Sequence, residues 1–196
     1  FIRCFQDAGF PEGVINVVLG GREAGDALVS HPGVRVISFT GSTETGLKVY
    51  TRAAGLGKKV ALEMGGKNAI IVMDDANLDL AVKAITWSAY GTTGQRCTAT
   101  SRLIVHRAVK DHLIEAIREK AQAIRVGDGL QDGVEVGPLI NARALEKVER
   151  YVDIGKNEGA RLVVGGARGD GPGYFYQPTL FADVQADMQI AREEIF

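Results

Sequence analysis

Apolar residues fall into two rhythms along this 196-residue chain. Short unbroken runs have the length and β-branched content of buried strands: RVISFT at 35–40, KKVALEM at 58–64, NAIIVM at 68–73, RLIVH at 102–106 and RLVVGG at 161–166. Between them the spacing lengthens to that of helices. GSTETGLKVYTRAA at 41–54 reads as a turn running into a helix. DDANLDLAVKAITWSAYG at 74–91 reads as a second helix, with Asp75 as its expected N-cap, Asp79 adding negative charge to the first turns and Gly91 as its stop. Leu113, Ile117, Ala121 and Ile124 recur at helical intervals within 109–124, as do Leu145, Val148 and Val152 within 141–157, ahead of Gly159. Strands alternating with helices predict an α/β fold with a largely parallel sheet. No repeat or low-complexity tract interrupts the pattern. The one expected boundary lies in MGGK at 64–67, where a strand ends on two glycines.

Composition narrows the function classes. Hydrophobic residues make up 45% and charged residues 24%, and the net charge of -1 is spread along the chain, which leaves no basic footprint for nucleic acid or an acidic membrane. The longest apolar runs, such as AIIVM at 69–73, are far too short to cross a bilayer. Cys4 and Cys97 allow only one internal pairing, and without a secretory pattern reduced thiols are expected. His31, His106 and His112 are scattered and neither cysteine has a neighbour at ligand spacing, so no metal site is expected. A start at Phe1 and a stop on REEIF are what a piece of a longer polypeptide would show.

Three segments carry candidate chemistry. In ISFTGSTETG a strand ends and the chain turns through Gly41 and Ser42 into a helix, whose free N–H groups and dipole favour an anion; ordinary helix capping explains the same residues. LGGREAG at 19–25 is a weaker version of that turn. In ALEMGGKN, Glu63 ends a very apolar strand, where partial burial would raise its pKa toward the range of a general base. A surface carboxylate, or one neutralised by Lys67, is the plain alternative. In GTTGQRCTATSR, Cys97 has no histidine within reach in sequence. It is either a packed thiol or a nucleophile whose own N–H serves a developing oxyanion, with Gly94 relieving bulk and Arg96 lowering its pKa. A strand and a helix separate Cys97 from Glu63, and a crossover of that kind in a parallel sheet can return the chain to the same edge.

Taken together with GPL at 137–139 and EEIF at 193–196, these segments in this order resemble the aldehyde dehydrogenase family over essentially the whole chain. FTGSTETG is similar to the family's cofactor-phosphate turn, LEMGGKN to its general-base motif, GQRC to its nucleophile motif, and EEIF to the segment that holds the nicotinamide ribose. Met64 stands where leucine is commoner.

The resemblance implies Rossmann-type parallel layers. Residues 1–64 would be the end of an NAD(P)-binding domain, and 65–196 a catalytic domain truncated at its C-terminal end. It implies Cys97 as nucleophile, Glu63 as base, Gly41 and Ser42 at the cofactor pyrophosphate, Glu194 at the ribose hydroxyls, Phe196 against the nicotinamide, and Lys147 as a further ribose contact. NAD or NADP is the implied cofactor, a small aldehyde the substrate, and a cytoplasmic homodimer or homotetramer the full-length form.

The implied reaction runs through a thiohemiacetal and a thioester on Cys97, hydrolysed by water that Glu63 activates. Acyl transfer to coenzyme A, or a non-catalytic structural role, are the competing readings, and the retention of both Glu63 and Cys97 favours hydrolysis. GTTGQRCTATSRLIV is similar to dehydrogenases of α-ketoglutaric semialdehyde and related carboxylated semialdehydes. The family's second oxyanion donor, an asparagine, would lie upstream of Phe1, so the isolated chain is expected to be inactive.

Overall fold

The structure, a computed structural model, describes all 196 residues as two compact units, Phe1–Met64 and Gly65–Phe196. In the first unit two helices, α1 (Ile2–Asp7) and α2 (Arg22–Ser30), precede a strand–helix–strand crossover of β1 (Val36–Gly41), α3 (Thr43–Gly55) and β2 (Lys59–Met64). β1 and β2 run parallel, with Phe39 opposite Leu62 and Thr40 opposite Glu63. Lys58 closes the C-terminal end of α2 by donating to the carbonyls of Val29 and His31 at 2.6 and 2.7 Å, where a cation meets the negative end of the helix dipole. Gly46 is buried in α3 because the Met64 thioether occupies the space a side chain there would need.

The second unit repeats the parallel crossover with β3 (Asn68–Val72), α4 (Leu78–Tyr90) and β4 (Thr100–Val105). A short 3₁₀ turn, Gly91–Gly94, follows α4 directly. α5 (Lys110–Ala123) packs Leu113 and Ile117 against Val72, Val82 and Ile85 to form the main core. α6 (Ala142–Asn157) supplies Leu145 and Val152 to a second cluster with Leu139 and Tyr176. Tyr151 and Ala160 meet Ile190 of α7 (Gln189–Arg192) in a third. β5 (Arg161–Val164) and β6 (Leu180–Ala182) form an antiparallel pair. None of the helices is long and apolar enough to cross a membrane.

The α/β alternation expected from the sequence is present, with corrections. Three two-stranded sheets form, two of them parallel as the largely parallel reading implies, and β5–β6 is antiparallel. The N-cap of α4 is Asn77, whose side chain accepts from the Leu80 N–H at 3.0 Å, and not Asp75. Asp75 lies inside the preceding turn, closed by the Ala76 N–H on the Met73 carbonyl at 3.3 Å, so the helix starts two residues later. Ile124 follows α5 as its extended C-cap residue and is not part of its apolar stripe.

Candidate active site

Cys97 sits at the surface, on the tight turn that feeds β4. The Ala99 N–H closes that turn on the Arg96 carbonyl at 3.0 Å, leaving Cys97 and Thr98 as its central residues. The thiol is therefore not a core filler, and both cysteines of the chain are free.

The backbone leading into the turn is unusual. Thr92, Thr93 and Gly94 adopt φ of 56°, 60° and 67°, three consecutive left-handed residues, two of them β-branched. Each threonine there costs about 1–2 kcal/mol relative to a right-handed conformation, so neighbouring contacts must hold the segment. Thr93 Oγ1 donates to the Gly137 carbonyl at 3.2 Å. Gln95 grips the GPL segment and the residue after it, donating to Pro138 O at 3.3 Å and accepting from the Ile140 N–H at 2.9 Å. A side chain on Gly94 would come within 3.0 Å of the Ala89 carbonyl, so glycine answers both the φ and the crowding.

Arg96 points back onto α4 and not toward the thiol. Its guanidinium stacks over Trp87 at 4.5 Å and donates to Ser88 O at 3.3 Å, with its Nε buried and unpartnered. These contacts anchor the turn on α4. The far side of the turn is held by Asn68, whose amide donates to the carbonyls of Cys97 and Ala99 at 2.6 and 3.0 Å. The Cys97 N–H, by contrast, makes no bond within the protein.

A second cluster gathers residues from both ends of the unit. The Glu194 carboxylate occupies the space where a side chain on Gly65 would project. Arg102, on β4, bridges the two segments, donating to Lys67 O at 2.6 Å and Ala191 O at 3.3 Å. Burial lowers the Lys67 amine to about 8; the cations of Arg102 and Lys147 add to this, while Glu194 and Glu193 oppose it. Lys147 lies on α6 with its ammonium 6.0 Å from the ring of Tyr151, one turn further on. Tyr151 donates to Glu193 at 2.5 Å, and this bond with one from Gln189 holds the Glu193 carboxyl below its ordinary range.

Lys67, Glu194 and Phe196 line a cavity of about 800 Å³ whose other walls include Ile85, Leu113 and Ile117. Thr93, Gly94, Arg96 and Ala99, from the loop and turn around Cys97, also line it, while Cys97 itself does not. Phe196 ends the chain, 48% exposed.

In the first unit, Gly41 ends β1 and Ser42 caps α3, its hydroxyl accepting from the Thr45 N–H at 3.3 Å. Gly41 lacks a side chain where the Phe39 ring lies, a packing reason independent of any ligand. Glu63, near the end of β2, is exposed, the surface-carboxylate alternative of the two left open by the sequence. Reading the sequence missed Asn68, Gln95, Arg102 and Tyr151, whose partners lie 29 to 89 residues away and are brought to them only by folding.

Comparison with known proteins fits this arrangement. Residues 1–196 match the sequence model of the aldehyde dehydrogenase family. The chain is 44% identical over 203 residues to 1-pyrroline-5-carboxylate dehydrogenase of Geobacillus kaustophilus, covering 100% of this chain and 39% of that protein. Its structure superposes on HpcC from Thermus thermophilus with a TM-score of 0.94 at 41% identity, over 99% of this chain and 39% of that one. Betaine aldehyde dehydrogenase of Staphylococcus aureus, solved in complex with NAD+, matches with a TM-score of 0.94 at 37% identity, over 99% and 39%. The chain thus spans about two fifths of the length of the relatives it matches. With a family match along every residue and a fold shared to that degree, the chain belongs to the aldehyde dehydrogenase family.

Proposed function

We propose that this chain is part of an enzyme that oxidises an aldehyde or semialdehyde to the carboxylic acid with NAD or NADP. In this reading residues 1–64 close the cofactor domain and 65–196 carry the thiol. The observation that carries it is the state of Cys97: an exposed thiol on a turn fastened by Asn68, Gln95, Thr93 and Arg96, with its own N–H left unpaired. A packing cysteine needs none of that scaffolding.

The residues present fit a dinucleotide in two places, each within one unit. The N-terminus of the 13-residue α3 offers backbone donors to a phosphate beside Ser42, whose hydroxyl donates to Thr45 Oγ1 at 3.0 Å, and the nearby Glu44 carboxylate is engaged by Lys48 at 2.5 Å. Glu194, an acceptor-only carboxylate, suits a ribose diol, with Lys147 and Phe196 as further contacts. The bound nicotinamide supplies the hydride acceptor.

The remaining chemistry belongs to the protein. The Cys97 thiolate forms a C–S bond to the aldehyde carbon, and the carbonyl electron pair moves onto oxygen, where the Cys97 N–H meets the negative charge. Loss of hydride leaves a thioester on Cys97. Glu63 takes a proton from water, the hydroxide adds to the thioester carbon, and the thiolate departs as the acid forms. The same reading extends to a cytoplasmic homodimer or homotetramer, and to carboxylated semialdehydes as substrates.

Two substitutions in the complete enzyme test it. Cys97→Ala is expected to abolish dehydrogenase turnover, and wild-type rates in that variant would refute the assignment. Glu63→Gln is expected to keep a burst of reduced cofactor while slowing the steady state. A burst lost with cofactor still bound would move Glu63 to a step before hydride loss.

A further inference from the structure

The amide of Asn68 spends both of its N–H groups on the nucleophile turn, one on the Cys97 carbonyl at 2.6 Å and one on the Ala99 carbonyl at 3.0 Å. Asn68 is the first residue of β3, two positions after the glycine pair, and it faces the turn because β3 and β4 change register there. Asn68 pairs with Thr100 and Ala69 with Arg102, so Ser101 is the extra residue of a bulge, and its hydroxyl donates to the Asn68 carbonyl at 3.2 Å. One side chain thus holds two peptide planes of the turn, Cys97–Thr98 and Ala99–Thr100, while its own backbone is held by the strand it organises.

We infer that Asn68 is the positioning residue of the thiol: by holding the Cys97 and Ala99 carbonyls it seats the turn on β3 and so fixes where Sγ and the unpaired Cys97 N–H are aimed. This inference rests on the reading of Cys97 as nucleophile. Attack and oxyanion stabilisation require the sulfur and the N–H to address the same carbonyl group, one at carbon and the other at oxygen. A turn free to shift on β3 carries both groups away from the bound carbonyl without losing either. Misplacements of about 1 Å in such an arrangement cost on the order of 100-fold in rate. No residue that lacks two donors on one short planar group can reproduce the bridge. Aspartate, of the same shape, would set a carboxylate against two carbonyl oxygens.

The experiment compares Asn68→Ala, Asn68→Asp and Cys97→Ala in the complete enzyme. It measures the pre-steady-state burst of reduced cofactor, KM for aldehyde, cofactor affinity by fluorescence titration, and alkylation of Cys97 by iodoacetamide. Both Asn68 variants are expected to bind cofactor within about twofold of wild type, to keep KM, and to lose roughly 10- to 100-fold in burst rate, the larger loss with Asp. Iodoacetamide, which needs no oxyanion donor, should alkylate Cys97 within a few-fold of the wild-type rate.

Unchanged bursts in both Asn68 variants, with Cys97→Ala inactive, would overturn the positioning role and leave the nucleophile assignment standing. An active Cys97→Ala would remove the nucleophile and this inference with it. Failure of both Asn68 variants to fold, or a parallel loss of cofactor binding and alkylation, would assign Asn68 to general stability and overturn the inference equally.

Discussion

The carboxylate of Glu194 fills the position that a side chain on Gly65 would take, so the glycine after the LEM segment and the acid near the C-terminus share one small volume. The carboxylate is the far end of a flexible side chain. A methyl group at 65 would therefore push it aside before it strained the backbone. On the proposed role of Glu194 at the ribose, Gly65→Ala is expected to weaken cofactor binding about tenfold, equivalent to about 1.4 kcal/mol, through loss of that charge-assisted contact. The melting temperature should change little. Titration of the complete enzyme with NAD and NADP checks this, and unchanged affinity for both would detach Glu194 from the cofactor.

Lys67 gives the site a pH signature. Its folded-state pKa, about 8, lies below the ordinary 10.5, so the protonated amine is a cost to the folded chain at neutral pH. That cost falls away as pH rises from about 8 toward 10.5, and the group's contribution to stability improves across that window. The neutral amine is also the nucleophilic form. Lys67 is expected to be acetylated ahead of ordinary exposed lysines between about pH 8 and 9, as read by peptide mass spectrometry. Arg102→Met removes a neighbouring cation that lowers the amine, and should move the labelling midpoint to higher pH.

Gln95 is the strap between the nucleophile loop and the GPL segment, through its bonds to Pro138 and Ile140. Gln95→Ala removes two bonds worth about 0.5–1.5 kcal/mol each and leaves Thr92 and Thr93 to hold their left-handed conformations with one tie fewer. A melting temperature lowered by a few degrees and a kcat reduced several-fold at constant KM are expected. Thermal denaturation and steady-state kinetics of the variant measure both.

Much of this architecture was legible in the sequence because it is local. The helical spacing of Leu113 and Ile117 marked the α5 face that packs on the main core, and that of Leu145 and Val152 marked the α6 face in the second cluster. Boundaries were harder where several capping residues compete. In DDAN the sequence offers three, and the turn at Met73–Ala76 decides for Asn77. The three-residue β6 and four-residue α7 carry too little periodicity to be read, and with β6 hidden the antiparallel direction of its pairing with β5 was hidden too. The thiol and the acid announced themselves by residue type. Asn68 and Arg102 did not, because an amide or a guanidinium gains meaning only from the carbonyls that folding brings to it.

The central claim is that Cys97 becomes covalently acylated. Its most direct test is mass spectrometry of the complete Glu63→Gln enzyme, quenched within one turnover in the presence of aldehyde and oxidised cofactor. The account calls for a mass increase equal to the acyl group, located on the peptide that contains Cys97 and removed by hydroxylamine. A Cys97 peptide of unchanged mass after a full burst of reduced cofactor would contradict it.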